Sequence, residues 1–412
     1  MNAFCQFRAI EPLKAFCRAA RISSYNYQHP LNVRITNTFM TRSRFMSTET
    51  SATGGSYIHL PTRGLLQIHG KDASKFLQGL ITNHMPRIEN GGGGFLAAFL
   101  SPKGRVMYDV FIHPVNETKE GSDPAYLIEC DARALPELHK HIARFVLRSK
   151  VKMVGVTESF DVYSVLDDQP VADAASNEDA TTPPSNEAVM ERLERMNATI
   201  GMYDNRAVNH MGYRVIVPKG QSLSLPEGYR QGTLEEYHVR RIVNGVPEGI
   251  DDFIAGTSLP LECNLDYMNG VDFRKGCYVG QELTIRTYHK GITRKRIMPV
   301  QYFTPQDPEP ESIQFNKSAS HVIPPQSELF PTKKTTPAAP AASTSSARPV
   351  RASGKTGSNV GNIGLALVKL DHVKEGSTFD VMDREGATVR VKAFFPTWWP
   401  KQPESEESHG DE

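Results

Sequence analysis

The chain has 412 residues, of which 39% are hydrophobic and 23% are charged, with 47 basic and 46 acidic residues. This length allows two or three domains with real hydrophobic cores. No run approaches the ~20 apolar residues that a membrane-spanning helix needs, which argues against an integral membrane protein.

The first 46 residues carry seven basic residues and a single acid, Glu11, with Ser, Thr and Asn between them. This composition is typical of a mitochondrial transit peptide rather than of an ordinary basic tail. We therefore predict a mitochondrial-matrix protein that begins near Ser47. Removing residues 1–46 leaves 40 basic and 45 acidic residues, a net charge near −5, and such a chain is a poor general binder of nucleic acids.

Short strands and helices alternate from residue 57 onward. Alternating apolar residues predict strands at 57–60 and 64–70, and Asp72 is expected to cap a helix that runs to Asn83. A hairpin is predicted at 95–100 and 105–113, joined by a turn that contains Pro102 and Gly104. The later elements predicted are strands at 125–131, 151–154, 160–166 and 213–218, and helices at 131–150, 187–197 and 234–244.

Two stretches, 167–186 and 303–358, are rich in Pro, Ser, Thr and Ala with little to bury, and both are predicted to be disordered insertions. Short strands are expected again at 359–370, 377–383 and 388–395. Together with 297–302 they suggest a small C-terminal β-barrel. The acidic tail, 401–412, is predicted to be loose.

Residues 275–283 read K-G-C-Y-V-G-Q-E-L, which places a thiol, a cation, two glycines, an amide and a carboxylate in one turn region. Gly276 and Gly280 would allow positive φ or close backbone approach, and the charge of Lys275 would favour the thiolate form of Cys277. A tight loop around an inert, buried cysteine is the alternative. The density of reactive groups favours a functional site.

Beyond the transit peptide the chain has three cysteines and no C-x-x-C pair, which argues against a disulfide framework and against a self-contained zinc or cluster site. Cys130 falls in a predicted strand. Cys263 falls in L-P-L-E-C-N-L, where a strand would point its side chain away from those of Glu262 and Asn264. We therefore expect Cys130 and Cys263 to be structural.

Residues 275–283, called the signature string below, resemble the K-G-C-[YF]-x-G-Q-E motif of the YgfZ-like proteins. These proteins are relatives of the folate-binding glycine-cleavage T-protein (GcvT), and they include mitochondrial iron–sulfur cluster assembly factors. The segments 70–83, 241–247 and 259–265 resemble other blocks of this family. The resemblance implies an α+β fold with the three-lobed arrangement of the T-protein. Two interleaved α+β subdomains would span residues 57–283, and a β-barrel-like domain would span residues 284–400.

The resemblance also implies the site residues. Cys277 would be the functional thiol and a transient ligand of an iron–sulfur cluster shared with a partner, with Lys275 and Asp109 as further reactive groups. The T-protein has an acidic pair where this chain has Tyr108 and Asp109, and a pterin-holding glutamate where this chain has Val243, so its chemistry is not expected here. The residues implied for a tetrahydrofolate pocket are Tyr108, Asp109, Glu262, Asn264, Tyr278, Gln281 and Glu282.

The first hypothesis is a matrix accessory factor for the maturation of [4Fe–4S] proteins, without classical turnover. It would work with A-type iron–sulfur carriers on apo proteins such as aconitase-type and radical enzymes, and the resemblance allows bound tetrahydrofolate. The second is a tetrahydrofolate-dependent one-carbon transferase similar to the aminomethyltransferases, and a folate-dependent tRNA-modification role is a third. The basic stretch 286–296 is either a solvated edge or a surface for an anion or partner.

Overall fold

The computed structural model describes residues 54–115, 122–167, 183–208, 210–319, 322–332 and 351–400. Sixteen strands, β1 to β16, and six α-helices, α1 to α6, lie in these ranges and are numbered in chain order. No helix in these ranges is long and apolar enough to cross a membrane. The predicted transit peptide and acidic tail, and residues 168–182 and 333–350 of the two predicted insertions, lie outside the described residues.

The first sheet is antiparallel and has the order β3-β4-β5-β2-β6. Its hairpin pairs Phe95 with Ile112 and Ala98 with Asp109, which confirms the hairpin predicted from the sequence. One face packs on two helices, α1 (Ala73–Gln78) and α2 (Leu135–Ala143), in a buried apolar core. The strands are β2 Arg63–His69, β3 Phe95–Leu100, β4 Val106–Pro114, β5 Ala125–Asp131 and β6 Lys152–Gly155.

The second sheet has the order β10-β1-β7-β9-β8, and its pairs are antiparallel except for the parallel pair of β1 with β10. Helix α3 (Asn186–Arg195) covers one face, where its Leu193 joins Val215 and Val217 in a second core. Helix α4 (Leu234–Val243) follows β10. The strands are β1 Gly55–His59, β7 Phe160–Asp167, β8 Ile200–Tyr203, β9 Tyr213–Pro218 and β10 Arg230–Gln231.

A closed six-stranded barrel with the order β11-β14-β13-β12-β15-β16 forms the C-terminal part and confirms the predicted barrel. Val300, Val368, Phe379 and Val391 lie in its core, and the short helix α6 (Leu370–Lys374) follows β14. The strands are β11 Lys295–Phe303, β12 Glu328–Pro331, β13 Gly354–Val360, β14 Ile363–Lys369, β15 Thr378–Met382 and β16 Thr388–Ala393.

The predicted disorder of the insertion at 303–358 is wrong for two segments, one near its middle and one at its end. Strand β12 and the start of β13 fall inside it, and their pairing brings Leu329 opposite Gly354. Leu329 is fully buried in the barrel, but β12 is only four residues long and β13 is mostly polar. Strands this short depend on their neighbours in the barrel rather than on local propensity, so the sequence gives little sign of them.

Two predicted helices are longer than those observed. The helix expected at 72–83 ends at Gln78 as α1, and the side chain of Asp72 does not cap it. Instead Asp72 Oδ2 accepts a hydrogen bond from the Lys150 backbone N–H at 2.7 Å. The helix expected at 131–150 is divided into a 3₁₀ turn, Ala132–Ala134, and α2, which ends at Ala143.

Candidate functional site

The signature string forms a loop that leads into helix α5 (Gln281–Lys290) rather than a single turn region. Gly280, at the N-cap of this helix, has φ +79°, and a Cβ there would lie 2.3 Å from the carbonyl oxygen of Ser101. A side chain at position 280 would therefore push the start of α5 away from the β3–β4 hairpin. The expectation for Gly276 is not met, because its φ is not positive and a Cβ there would meet nothing within 4 Å.

Cys277 is exposed, whereas Cys130 and Cys263 are 1% and 2% exposed. Burial raises the pKa of the Cys130 thiol to about 12 and that of Cys263 well above its ordinary value. Both buried thiols therefore stay protonated at neutral pH and are unsuited to bind metal or to react. Only Cys277, among the three cysteines that the structure describes, is open to a partner or ligand.

Cys277 lies on an open cavity of about 600 Å³ between its own loop and helix α5. The α5 side chains that line this cavity recur every three or four residues, so one face of the helix forms the wall. Arg286 and Lys290 are exposed there and form no ion pair with any described residue. Because Arg286 and Lys290 outnumber the carboxylate of Glu282, the part of the lining that α5 contributes is net positive. The helix contributes Gln281, Glu282, Ile285, Arg286, His289 and Lys290.

The Lys275 ammonium binds backbone carbonyl oxygens rather than the Cys277 thiol. It donates hydrogen bonds to the carbonyl oxygens of Gln78, Ile81 and Asn83 at 2.8, 2.6 and 2.8 Å, and it makes no hydrogen bond to the Cys277 thiol. Burial lowers the pKa of Lys275 to about 8, so near that pH its charge is only partly present. Lys275 therefore ties the signature loop to the segment after α1.

Tyr278 and Gln281 also hold the loop together. The Tyr278 ring is buried, with the Lys275 ammonium 4.7 Å from its centroid. The Tyr278 backbone N–H donates to Oε1 of Gln281 at 3.3 Å. Of the residues predicted in this stretch, Gln281 and Glu282 border the cavity, while Tyr278 packs beneath it.

Glu262 and Asn264 lie in a series of turns rather than in the expected strand. Asn264 has φ +61° and donates from Nδ2 to the Ile297 carbonyl oxygen at 2.7 Å, which joins this turn to strand β11. Glu262 lines a second cavity of about 280 Å³ that Leu283, Thr284 and Thr287 of α5 also border, and burial raises the pKa of its carboxyl. The structure therefore separates Glu262 and Asn264 from Cys277.

Tyr108 and Asp109 point to opposite faces of β4. Tyr108 packs edge-on against His141 of α2, with ring centroids 5.7 Å apart. Asp109 is buried and accepts a hydrogen bond from the Gly249 backbone N–H at 3.1 Å. Burial raises the pKa of Asp109, against the opposing effect of Arg63. The two residues therefore do not form one site.

A buried network of charges that was not predicted from the sequence joins the two sheets. Arg214 of β9 donates to Glu129 of β5 at 3.0 Å and to Glu248 at 2.8 Å. Arg206 donates to Glu248 at 2.7 Å and also pairs with Asp204. All five side chains are nearly inaccessible to solvent. The one sequence signal is Arg214 itself, an arginine inside the apolar strand Y-R-V-I-V-P.

Aromatic and arginine side chains complete this network. The guanidinium carbons of Arg206 and Arg214 lie 4.8 and 4.4 Å from the centroid of the Phe111 ring. Arg63 donates to Glu129 at 2.7 Å. Although burial raises the pKa of Glu129, Arg214 and Arg63 outweigh it and lower that pKa to about 2. Three arginines therefore face three carboxylates, and the network is structural rather than reactive.

We expect Lys275→Met to lower the free energy of unfolding by ~1–3 kcal/mol, because three carbonyl oxygens lose a charged donor. We also expect Cys277 to be alkylated no more slowly than in the wild type, since the ammonium holds the loop and does not contact the thiol. Urea unfolding and the rate of alkylation at fixed pH measure the two effects. Lys75→Met, at an exposed lysine of α1, is the control, and slower alkylation of the Lys275 variant alone would restore the role first expected for this lysine.

Comparison with solved structures supports the fold. The chain is similar to the glycine cleavage system aminomethyltransferase T from Bartonella henselae, with a TM-score of 0.53 and 12% identity over 83% of this chain and 86% of that one. At this identity the likeness concerns the fold alone. The architecture is thus α+β and similar to that of the T-protein, as predicted. Residues 294–401 match the C-terminal beta-barrel domain of CAF17.

Comparison with characterised sequences identifies the family. The chain is 35% identical to the iron–sulfur cluster assembly factor IBA57 homologue of Mycosarcoma maydis, over 83% of this chain and 84% of the relative. It is 36% identical to the Neurospora crassa homologue, over 86% and 83%, and 34% identical to human IBA57, over 85% and 87%. All three are named as mitochondrial proteins. At such identity over more than four fifths of each chain, this protein belongs to the IBA57 family of mitochondrial iron–sulfur cluster assembly factors.

Proposed function

We propose that this chain acts in the mitochondrial matrix as an accessory factor for the maturation of [4Fe–4S] proteins, with Cys277 as its ligand to a cluster that an A-type carrier shares. The recipients would be apo proteins of the aconitase and radical-enzyme types. The placement of Cys277 carries the proposal. It is exposed, beside a cavity whose α5 wall is net positive, while the other two described cysteines are buried.

A single thiolate suits a shared cluster better than a resident one. Iron–sulfur clusters are commonly held by four cysteine thiolates, and among the residues that the structure describes no three His, Cys, Asp or Glu side chains come together to hold a metal ion. In this proposal the cluster is cargo, and the carrier would have to supply the remaining ligands. Soft thiolate is the ligand type that such iron sites select.

The charge of the cavity agrees with this cargo. A cluster held by thiolates is anionic overall, so unpaired cations nearby would favour its docking. Arg286 and Lys290 are such cations, on the helix face that borders Cys277. Of the two readings of the basic stretch 286–296, we therefore favour the partner surface for residues 286–290, whereas Arg296 is buried and pairs with Asp266.

Purification under anaerobic conditions with an A-type carrier tests the proposal. We expect a complex with the visible absorption of an iron–sulfur cluster, and we expect the Cys277→Ser variant to yield a complex with much less cluster or none. Cys263→Ser is the matched control, because that thiol is buried. An equal cluster content in the Cys277→Ser complex, or no cluster with the wild type, would contradict the proposal.

Tetrahydrofolate does not fit the residues assigned to it. They lie in separate places. Tyr108 packs against His141, Asp109 accepts a hydrogen bond from Gly249, and Gln281 and Glu282 border the Cys277 cavity. Asp109 already accepts a hydrogen bond and is buried, so it is not poised over a ligand. We therefore derive no step through a folate, and the one-carbon transferase remains the less favoured alternative.

We expect tetrahydrofolate to bind weakly, if at all, and not to be converted in the presence of a glycine-derived aminomethyl donor. The reason is the loss of the acidic pair at Tyr108 and of the pterin-holding glutamate at Val243. Calorimetry and a turnover assay measure the two quantities. Turnover that disappears in Asp109→Asn, with the fold intact by circular dichroism, would instead establish the transferase.

A further inference from the structure

Leu147 projects from the loop that follows helix α2. It is 90% exposed, and its φ of +37° lies in the left-handed region that a leucine enters only at an energetic cost. An apolar side chain that is both fully exposed and held in a strained backbone conformation gains nothing for the fold. Strain of this kind persists where the surrounding structure enforces it, commonly at functional positions.

The loop that carries Leu147 is firmly held. The Ser149 backbone N–H donates to the Val146 carbonyl oxygen at 2.7 Å, and the Lys150 N–H donates to the Asp72 carboxylate at 2.7 Å. Phe145 and Val146 pack against the core of the first sheet. The exposure of Leu147 is therefore built into the fold.

Four exposed cations lie within five residues of Leu147 in the sequence. Residues 144–155 contain no acid, and none of their basic side chains forms an ion pair with another described residue. Among the described acids near this segment, Asp72 accepts a hydrogen bond from the Lys150 backbone, Glu137 pairs with Lys140, and Asp123 acts electrostatically on His69, as Lys152 does. The exposed cations are Arg144, Arg148, Lys150 and Lys152.

The shape of the surface restricts what could bind it. A side chain that is 90% exposed stands on a convex tip, whereas peptides and amphipathic helices are bound in grooves. The neighbouring strand β6 is an open sheet edge, but it is only four residues long and carries Lys152, features that hinder the addition of another strand. A lipid membrane with anionic headgroups is flat and has an apolar interior, so a protein can bind it without a groove or an open sheet edge.

We propose that this face docks on an anionic lipid surface, with Leu147 inserted at the interface and the four cations beside the headgroups. Each cation near an anionic membrane strengthens binding, and one inserted apolar side chain adds to it. The processed chain is net acidic, so this face would also orient the protein on the membrane. The inference does not depend on the function proposed for Cys277.

Vesicle co-sedimentation tests the proposal, with the chain that starts at Ser47, because the seven basic residues of segment 1–46 would themselves bind lipid. The described residues, 54–400 with their gaps, belong to one compact unit. We expect binding to phosphatidylcholine vesicles with about 30% phosphatidylglycerol, no binding to pure phosphatidylcholine, and loss of binding from about 0.1 M to about 0.5 M salt.

Variants separate the parts of the proposal. Leu147→Ala and Arg148→Ala/Lys150→Ala should each reduce the lipid-bound fraction severalfold, while Met382→Ala, at another exposed apolar residue on the barrel, should not. Leu147→Gly should also reduce binding, yet leave the melting temperature unchanged or raised, since glycine relieves the strain. Equal binding to neutral vesicles, wild-type binding by Leu147→Ala, or binding to poly-L-glutamate but not to anionic vesicles would each overturn the proposal.

Discussion

Cells in which Cys277 is replaced by serine are expected to lose aconitase-type activity to the level of cells that lack the protein. Serine keeps the size of the side chain but removes the soft thiolate that an iron site selects. Because Cys277 is exposed and its side chain is not part of a core, the substitution should leave the fold intact. Protein level and thermal stability, measured alongside activity, separate lost chemistry from misfolding.

Cys130→Ser and Cys263→Ser are the matched controls, and both are expected to retain most activity. Their thiols are buried and protonated, so serine removes packing rather than chemistry, and reduced protein level is the main effect to watch. Full activity of Cys277→Ser would mean that the signature loop is structural. The search for the functional site would then move to the second cavity, beside Glu262.

Arg214→Met is expected to lower the free energy of unfolding by ~3–5 kcal/mol, because it leaves buried carboxylates without a partner. Arg214 contacts both Glu129 and Glu248, and all three side chains are almost completely buried. Urea unfolding gives the value. Lys140→Met, which breaks an exposed pair with Glu137, should change it by less than ~0.5 kcal/mol, and a similarly small change for Arg214→Met would show that the network adds nothing to stability.

The same network predicts how stability depends on pH. The pKa of Glu129 is lowered to about 2 in the folded protein, whereas an unfolded glutamate titrates near ~4.3. Its contribution is therefore complete above the unfolded value and is lost as pH falls from there towards 2. Acid unfolding followed by circular dichroism should show this loss in the wild type and a weaker one in Glu129→Gln.

The sequence predicted those parts of the fold that have strong local patterns. The hairpin at 95–113 combines apolar strands with a Pro-Gly turn, and its two strands pair as a hairpin in the structure. Helix α4 ends at Val243, one residue before the predicted end, and Gly245 beyond it has φ +65°. By contrast, strand β12 is too short to give a periodic pattern, and it forms because Leu329 is buried by distant strands.

The sequence indicated Cys277 as a candidate functional residue, but it did not indicate the contacts of the other candidate residues. Cys277 stood out through the density of reactive groups around it, and the structure places it on a cavity. The partners of Lys275 lie nearly two hundred residues earlier in the chain, so no local pattern could indicate that it binds carbonyls. Tyr108 and Asp109 are adjacent in sequence but face apart, because side chains alternate along a strand.

The pairing of Leu329 with Gly354 sets the two ends of segment 333–350 on neighbouring strands of the closed barrel. The entropy of closing such a loop grows only slowly with its length, by about 0.6 kcal/mol for each doubling. Evolution can therefore lengthen or shorten this segment at little thermodynamic cost. For the same reason it is a suitable place to insert an affinity tag or a fluorescent reporter.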